Sequence, residues 1–203
     1  FPIADDWAYA HPVKELLEHG RLRLSDFSAP AAVANILWGW LFCLPAGFSY
    51  GALRLSSLFA GALSIIFLGA ILSELGLNRR ERLLGCALLA ANPLLMAVCS
   101  TFQTDAFFLA AFLFSILAFI RGTRENTWML AAAAVCALAC LSRQIALASA
   151  IVAALFLYDK KATSARILIV AVPATALAAH AYWYRHIHGL THAGRFKNLV
   201  FDC

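Results

Sequence analysis

The chain has 203 residues, of which 63% are hydrophobic and only 13% are charged, with a mean hydropathy of +0.78. A water-soluble domain carries about twice that charged fraction, so composition excludes an ordinary soluble fold and points to segments that live in lipid. Net charge is +5 and the pI is near 9.0, but the basic residues fall in short breaks between apolar stretches. Membrane orientation explains them better there than a nucleic-acid partner.

Residues 1–26 are polar and mixed, and read as a first outer loop. They open on Asp5-Asp6-Trp7-Ala8-Tyr9. Two adjacent carboxylates beside aromatic rings can supply a general base with one side chain while the other accepts a hydrogen bond or holds a divalent cation. The plainer alternative is a solvated acidic turn with an aromatic interface anchor. His11-Pro12 reads as a breaker, and Val13 to Gly20 as a short amphipathic surface helix stopped by glycine.

From Phe27 to Leu53 the chain counts 27 uncharged residues, interrupted by Pro30, Pro45 and Gly47. Residues 31–44 could span a bilayer, but a run of about 14 is short of the roughly 20 residues a span needs. An interfacial helix over 27–49, with Trp38 and Trp40 as anchors, is the favoured reading.

Six transmembrane helices are expected in 50–184, at about 52–75, 83–101, 105–120, 127–142, 144–158 and 167–184, followed by an outer loop over 185–203. The run from Gln144 to Tyr158 counts 15 residues, so it crosses only with flanking residues or local thinning. Asn92-Pro93 should kink the second span and offer a polar group to a neighbouring helix. The breaks alternate: Arg79, Arg80, Arg82, then Arg121 and Arg124, then Lys160, Lys161 and Arg166 form three basic breaks, whereas 100–105 has no basic residue and 142–144 only Arg143. The positive-inside bias puts the basic breaks in the cytoplasm and Asp105, Arg143 and Gln144 on the outer face. Ionisable residues gathered at membrane depth are functional candidates.

Asp105, in Thr104-Asp105-Ala106, is either a helix N-cap or a second acidic residue near the pair, and both can hold. Arg54 and Arg143 end apolar runs at the outer face. A guanidinium there can grip a lipid phosphate with two parallel hydrogen bonds, or snorkel to headgroups. Arg143 followed by Gln144 in a tight break favours the first, and Arg54 the second. His186, His188 and His192 have no metal-like spacing and read as interfacial. Six cysteines show no CxxC; Cys136 and Cys140, one turn apart, read as small packing residues, and no disulfide is assigned. Phe1 is not a methionine and the chain stops at Cys203 without an obvious terminator, as expected of a fragment lacking an upstream span.

In order along the chain, Asp5-Asp6-Trp7-Ala8-Tyr9, Gly51-Ala52-Leu53-Arg54-Leu55, Asn92-Pro93, Thr101-Phe102-Gln103-Thr104-Asp105 and Leu141-Ser142-Arg143-Gln144 resemble the N-terminal half of the bacterial C-type glycosyltransferases. These polyprenyl-phosphate-dependent enzymes are related to protein O-mannosyltransferases, aminoarabinose transferases and rhizobial lipopolysaccharide core transferases. The resemblance implies an all-α polytopic bundle with an outer-face interfacial helix. It also implies a base in the first outer loop, matched by Asp5, and a second acid at the mouth of a later span, matched by Asp105. Asp6 stands where relatives carry glutamate, which leaves open which of the two is the base.

The expected activity is transfer of a sugar from a polyprenyl-phosphate carrier to an acceptor hydroxyl of a lipid, glycan or protein, at the outer face of a bacterial inner membrane. Asp5, Asp6 and Asp105 are the catalytic candidates; Arg143, Gln144, Arg54 and Tyr9 are the candidates for substrate binding. No metal site is assigned, although a divalent cation is compatible with the acidic pair. The alternative is a transporter or flippase component for lipid-linked sugars, against which stands the lack of internal symmetry between halves. If the orientation holds, single cysteines at Asn78 and Asn126 in a cysteine-free background resist an impermeant thiol reagent added outside, and one at Thr104 reacts. The reverse labelling pattern would remove the basis for the site.

Overall fold

The computed structural model describes residues 6–25, 27–29, 31–157 and 163–188. Among them the chain is helical with no strand: α1 Asp6–His19, α2 Val33–Cys43, α3 Tyr50–Glu74, α4 Arg79–Ala90, α5 Pro93–Cys99, α6 Thr104–Gly122, α7 Asn126–Cys140, α8 Leu147–Phe156 and α9 Thr163–Trp183. A 3-10 turn, Gln144–Ala146, leads into α8. This is the expected all-α membrane bundle. Three segments are long and apolar enough to cross a membrane, Tyr50–Glu74, Thr104–Gly122 and Ile167–His186, and α4 with α5 makes a fourth if the pair is one span bent by 58°. The remaining expected spans, at α7 and at Gln144–Phe156, are shorter than that.

Local chemistry sets the helix ends. The Ser49 hydroxyl accepts from the Ala52 N–H at 3.0 Å and starts α3. Asn78 and Glu81 form a reciprocal capping box on α4. The expected kink falls at Asn92-Pro93, where proline sits in the first turn of α5 and needs no donor. Asn92 corrects its expected role, however: it is exposed and its Oδ1 accepts from Leu94 N–H at 2.9 Å, so it caps its own helix instead of reaching a neighbour.

The first loop also differs from expectation. Helix α1 starts at Asp6 and runs through His11-Pro12. An internal proline forfeits a backbone hydrogen bond, about 3 kcal/mol, but Ala8, Ala10, Pro12 and Val13 are buried, and burial of that face outweighs the loss. Gly20, in the left-handed region at φ 64°, ends the helix as its sequence implies.

Within the bundle, α6 packs along α3 on one side and α7 on the other, α9 covers α7, and α8 lies against α9. The seams use small residues, among them Ala60, Ala106, Ala110, Ala132, Ala133 and Ala139, which let helix backbones approach closely in lipid. Leu88, Leu94, Ile66 and Val152 point outward and are exposed, as a lipid-facing surface requires.

Helix α2 does not cross the bundle. At its start, Ala34 N–H donates to Leu141 O at 3.2 Å, at the end of α7, and its last residues are followed within a few positions by the cap of α3. It therefore lies across one end of the bundle. Trp38 is not a free anchor: its Nε1 donates to Ser56 O at 3.0 Å, and its ring packs on Phe42, Phe59 and Phe107. Gly39 lies under the Phe102 ring. A methyl group there would fall on that ring and 2.9 Å from Leu53 Cδ2. Gly39→Val is therefore expected to destabilise the protein by about 1–3 kcal/mol through overpacking, read as a lower unfolding temperature in detergent. An unchanged temperature would mean that α2 is not seated on Phe102.

Candidate functional site

The acidic residues and the two arginines singled out from the sequence, where described, meet at one end of the bundle, and they meet as acid–base pairs. Asp6, at the start of α1, is fully buried. Its Oδ2 accepts from Arg54 Nη2 at 3.1 Å and Nε at 3.4 Å, and its Oδ1 accepts from the backbone N–H of Phe102 at 2.7 Å. One carboxylate thus joins α1, α3 and the link between α5 and α6. A buried carboxylate needs such partners to remain ionised.

Three residues beyond Phe102, in the first turn of α6, Asp105 Oδ1 lies 2.7 Å from Arg143 Nη2. This pair is half-open, with side chains 35% and 45% exposed. The turn that carries Arg143 is fixed from both sides. Ser142 Oγ donates to Thr104 O at 3.3 Å, and Leu141 O receives the α2 amide of Ala34. The Phe102 ring is wholly buried in one cluster with Leu53, Ile36 and Ala10. Segment 101–105 is the hub: a buried ion pair docks at one end of it and an accessible pair at the other.

Several sequence expectations change here. Asp105 is not the N-cap of α6; Gln103 holds that position, without a side-chain cap bond, and Asp105 serves Arg143 instead. Arg54, expected to reach toward headgroups, is held by Asp6 with its side chain 27% exposed. Tyr9 is half-buried and packs on the core around Phe102, while Gln144 opens the 3-10 turn and is exposed. Asp5 and His192 lie outside the described residues. His186 stands by the Tyr182 ring at 4.8 Å, and among the described residues no three His, Cys, Asp or Glu converge. Cys136 is buried, with Sγ 3.7 Å from Ala146 O, and Cys140 is buried beside it, both as packing residues.

Two parts of the arrangement were missed from sequence. Phe102, an apolar residue, enters the site through its backbone N–H. Glu74 was not noticed at all: at the opposite, basic end its two oxygens lie 2.8 Å from Arg121 Nε and 3.0 Å from Arg124 Nη1, clamping α3 to α6. Opposite charges on breaks at the same end of the topology were the available signal.

Apolar helices of membrane-crossing length define a multi-pass α-helical membrane protein, with the Asp6–Arg54 and Asp105–Arg143 pairs together at one end of the bundle. Residues 30–183 match the dolichyl-phosphate-mannose-protein mannosyltransferase family; the chain belongs to that family and is a glycosyltransferase. The matched region takes in Arg54, Phe102, Asp105 and Arg143, and begins after Asp6. No curated protein and no solved structure matches the chain.

The Asp6–Arg54 pair carries its own prediction. Arg54→Met leaves the Asp6 carboxylate buried without its counter-ion and is expected to lower stability by on the order of 2–3 kcal/mol, below the figure for a wholly enclosed pair because Arg54 is 27% exposed. Adding Asp6→Asn to Arg54→Met keeps an oxygen for Phe102 N–H and removes the stranded charge, so the double variant recovers part of the loss. Additive losses in such a double-mutant cycle would show that the two side chains do not interact.

Proposed function

We propose that the chain is part of an enzyme that moves a sugar from a polyprenyl-phosphate carrier to an acceptor hydroxyl, with the chemistry at the end of the bundle that carries α1 and α2, facing the outer side of a bacterial inner membrane. The observation that carries this reading is the accessible Asp105–Arg143 pair standing on the same short segment as the buried Asp6–Arg54 pair, in a chain of this family. The family's name speaks of a mannosyl phospholipid donor and a protein acceptor. Here the donor class is taken from it, while sugar and acceptor are left to the polar end of the site.

The division of labour follows from burial. Asp6, held by Arg54 and Phe102 N–H, anchors the start of α1 and so positions its neighbour. Asp5 is then the general base: its carboxylate takes the proton of the acceptor hydroxyl as that oxygen attacks the anomeric carbon. The carbon–oxygen bond to phosphate breaks, its electron pair leaves with the polyprenyl phosphate, and the sugar inverts. Arg143 turns from Asp105 to the departing phosphate, whose negative charge grows in the transition state. Asp105 holds the guanidinium ready when no donor is bound. Gln144 and Tyr9 border the same end and contact substrate.

Asp5→Asn in the purified full-length enzyme is expected to lose roughly 100-fold or more in transfer rate with normal folding, whereas Asp6→Asn acts mainly on stability. Arg143→Lys keeps the charge but loses the planar fork, so transfer falls although expression does not. Full transfer by Asp5→Asn would refute the proposed base, and near-normal turnover by Arg143→Lys would return that residue to a headgroup contact.

A further inference from the structure

Asn35 is 1% exposed, and its Nδ2 meets no hydrogen-bond acceptor. A buried amide donor left unpaired is destabilising and calls for an explanation. Asn35 is the third residue of α2, an 11-residue helix whose N-cap, Ala32, provides no side-chain cap. Trp38 and Gly39, three and four positions on, share its helix face. Trp38 packs 5.5 Å from the Phe107 ring, and Gly39 lies under Phe102. Asn35 is thus one turn nearer the start of α2, on the side turned toward the hub. Helical side chains lean back toward the N-terminus, which aims the amide at the first turn of α2.

That turn is seated against the segment that carries Arg143. Ala34 N–H, bonded to Leu141 O, seats the 141–143 turn against it, and Arg143 follows two residues later with one nitrogen on Asp105. The N-terminus of a helix adds partial positive charge and favours anions. An unpaired buried donor and a helix N-terminus therefore lie next to the 141–143 turn, which carries the half-exposed guanidinium.

We propose that Asn35 is a binding residue for the phosphate of the lipid-linked sugar, an inference that rests on the function proposed above. The phosphate enters on the accessible side, between Asp105 and Arg143. Arg143 moves onto one phosphate oxygen, and Asn35 Nδ2, at the start of α2, donates to a second as the phosphate displaces the 141–143 turn from it. Because it is neutral, the amide serves the diester of the donor and the monoester of the product alike.

The test uses the purified full-length protein in detergent, with farnesyl phosphate as a short polyprenyl phosphate and farnesol as its neutral control. A compound that binds the folded state raises the unfolding temperature by mass action. The wild-type temperature is expected to rise with farnesyl phosphate and not with farnesol. Asn35→Leu, similar in size, removes the unpaired donor: without additive it unfolds at the same temperature or higher, and the farnesyl phosphate shift falls below half. Its KM for lipid-linked sugar rises about tenfold with a smaller change in kcat, as loss of one charge-assisted hydrogen bond implies. A full farnesyl phosphate shift in Asn35→Leu overturns the proposal while leaving the functional reading intact, and marks the amide as one satisfied by buried water. Should Asn35→Leu fail to fold, Asn35→Ala, which removes the donor without adding charge, decides: a retained shift overturns the assignment and a lost one supports it. If the wild type itself does not respond to farnesyl phosphate, the phosphate site fails and the functional reading loses its donor.

Discussion

A single buried carboxylate organises this end of the molecule. Asp6 has no exposure, and its two oxygens are divided between Arg54, 48 positions along the chain, and the backbone of Phe102, 96 positions along. An ionised group taken out of water must recover its lost hydration from fixed partners. The sequence-distant pieces that supply them are therefore not free to drift. Helix α1 has to lie on α3, and the α5–α6 link has to present its N–H. The accessible pair at Asp105 inherits its position from that arrangement, since it stands one helical turn further along the same backbone.

The division between a sealed pair and an open one separates two tasks that one cluster of charges performs poorly. The sealed pair holds geometry, because its desolvation makes any departure expensive. The open pair exchanges partners at little cost, because water already screens both side chains. The transfer proposed above, in which an anionic lipid enters and leaves a site that holds its shape, is served by one of each.

How far the sequence reveals this depends on the kind of force involved. Apolar runs, basic breaks and the Asn92-Pro93 kink are written in local composition, and the helices follow them closely. The end of the bundle on which Arg54, Asp105 and Arg143 gather was also readable, from the alternation of basic breaks. Pairing was not, since it is decided by which side chains face each other across 38 to 96 residues, and no local pattern encodes that. Pro12 inside α1 shows the same limit: the breaker rule describes an isolated helix, while burial on α2 decides the real one. Phe102 stands inside the motif 101–105, but its role is not legible there, because its contribution is a backbone N–H that every residue but proline owns.

The clamp at the basic end, Glu74 with Arg121 and Arg124, gains meaning when set against the Asp6–Arg54 pair. Both grip α3, and the helix rises about 30 Å between Arg54 and Glu74 at 1.5 Å per residue. That equals the roughly 30 Å depth of a bilayer's hydrocarbon layer. Helix α3 thus works as a gauge, carrying a charged stop at each end that ties it to a neighbouring element. Sliding these elements past one another would break the ion pairs at both ends. A thinner or thicker membrane has to be met by tilt of the clamped unit or by deformation of the lipid around it, and the setting of the site relative to the membrane surface changes with that tilt.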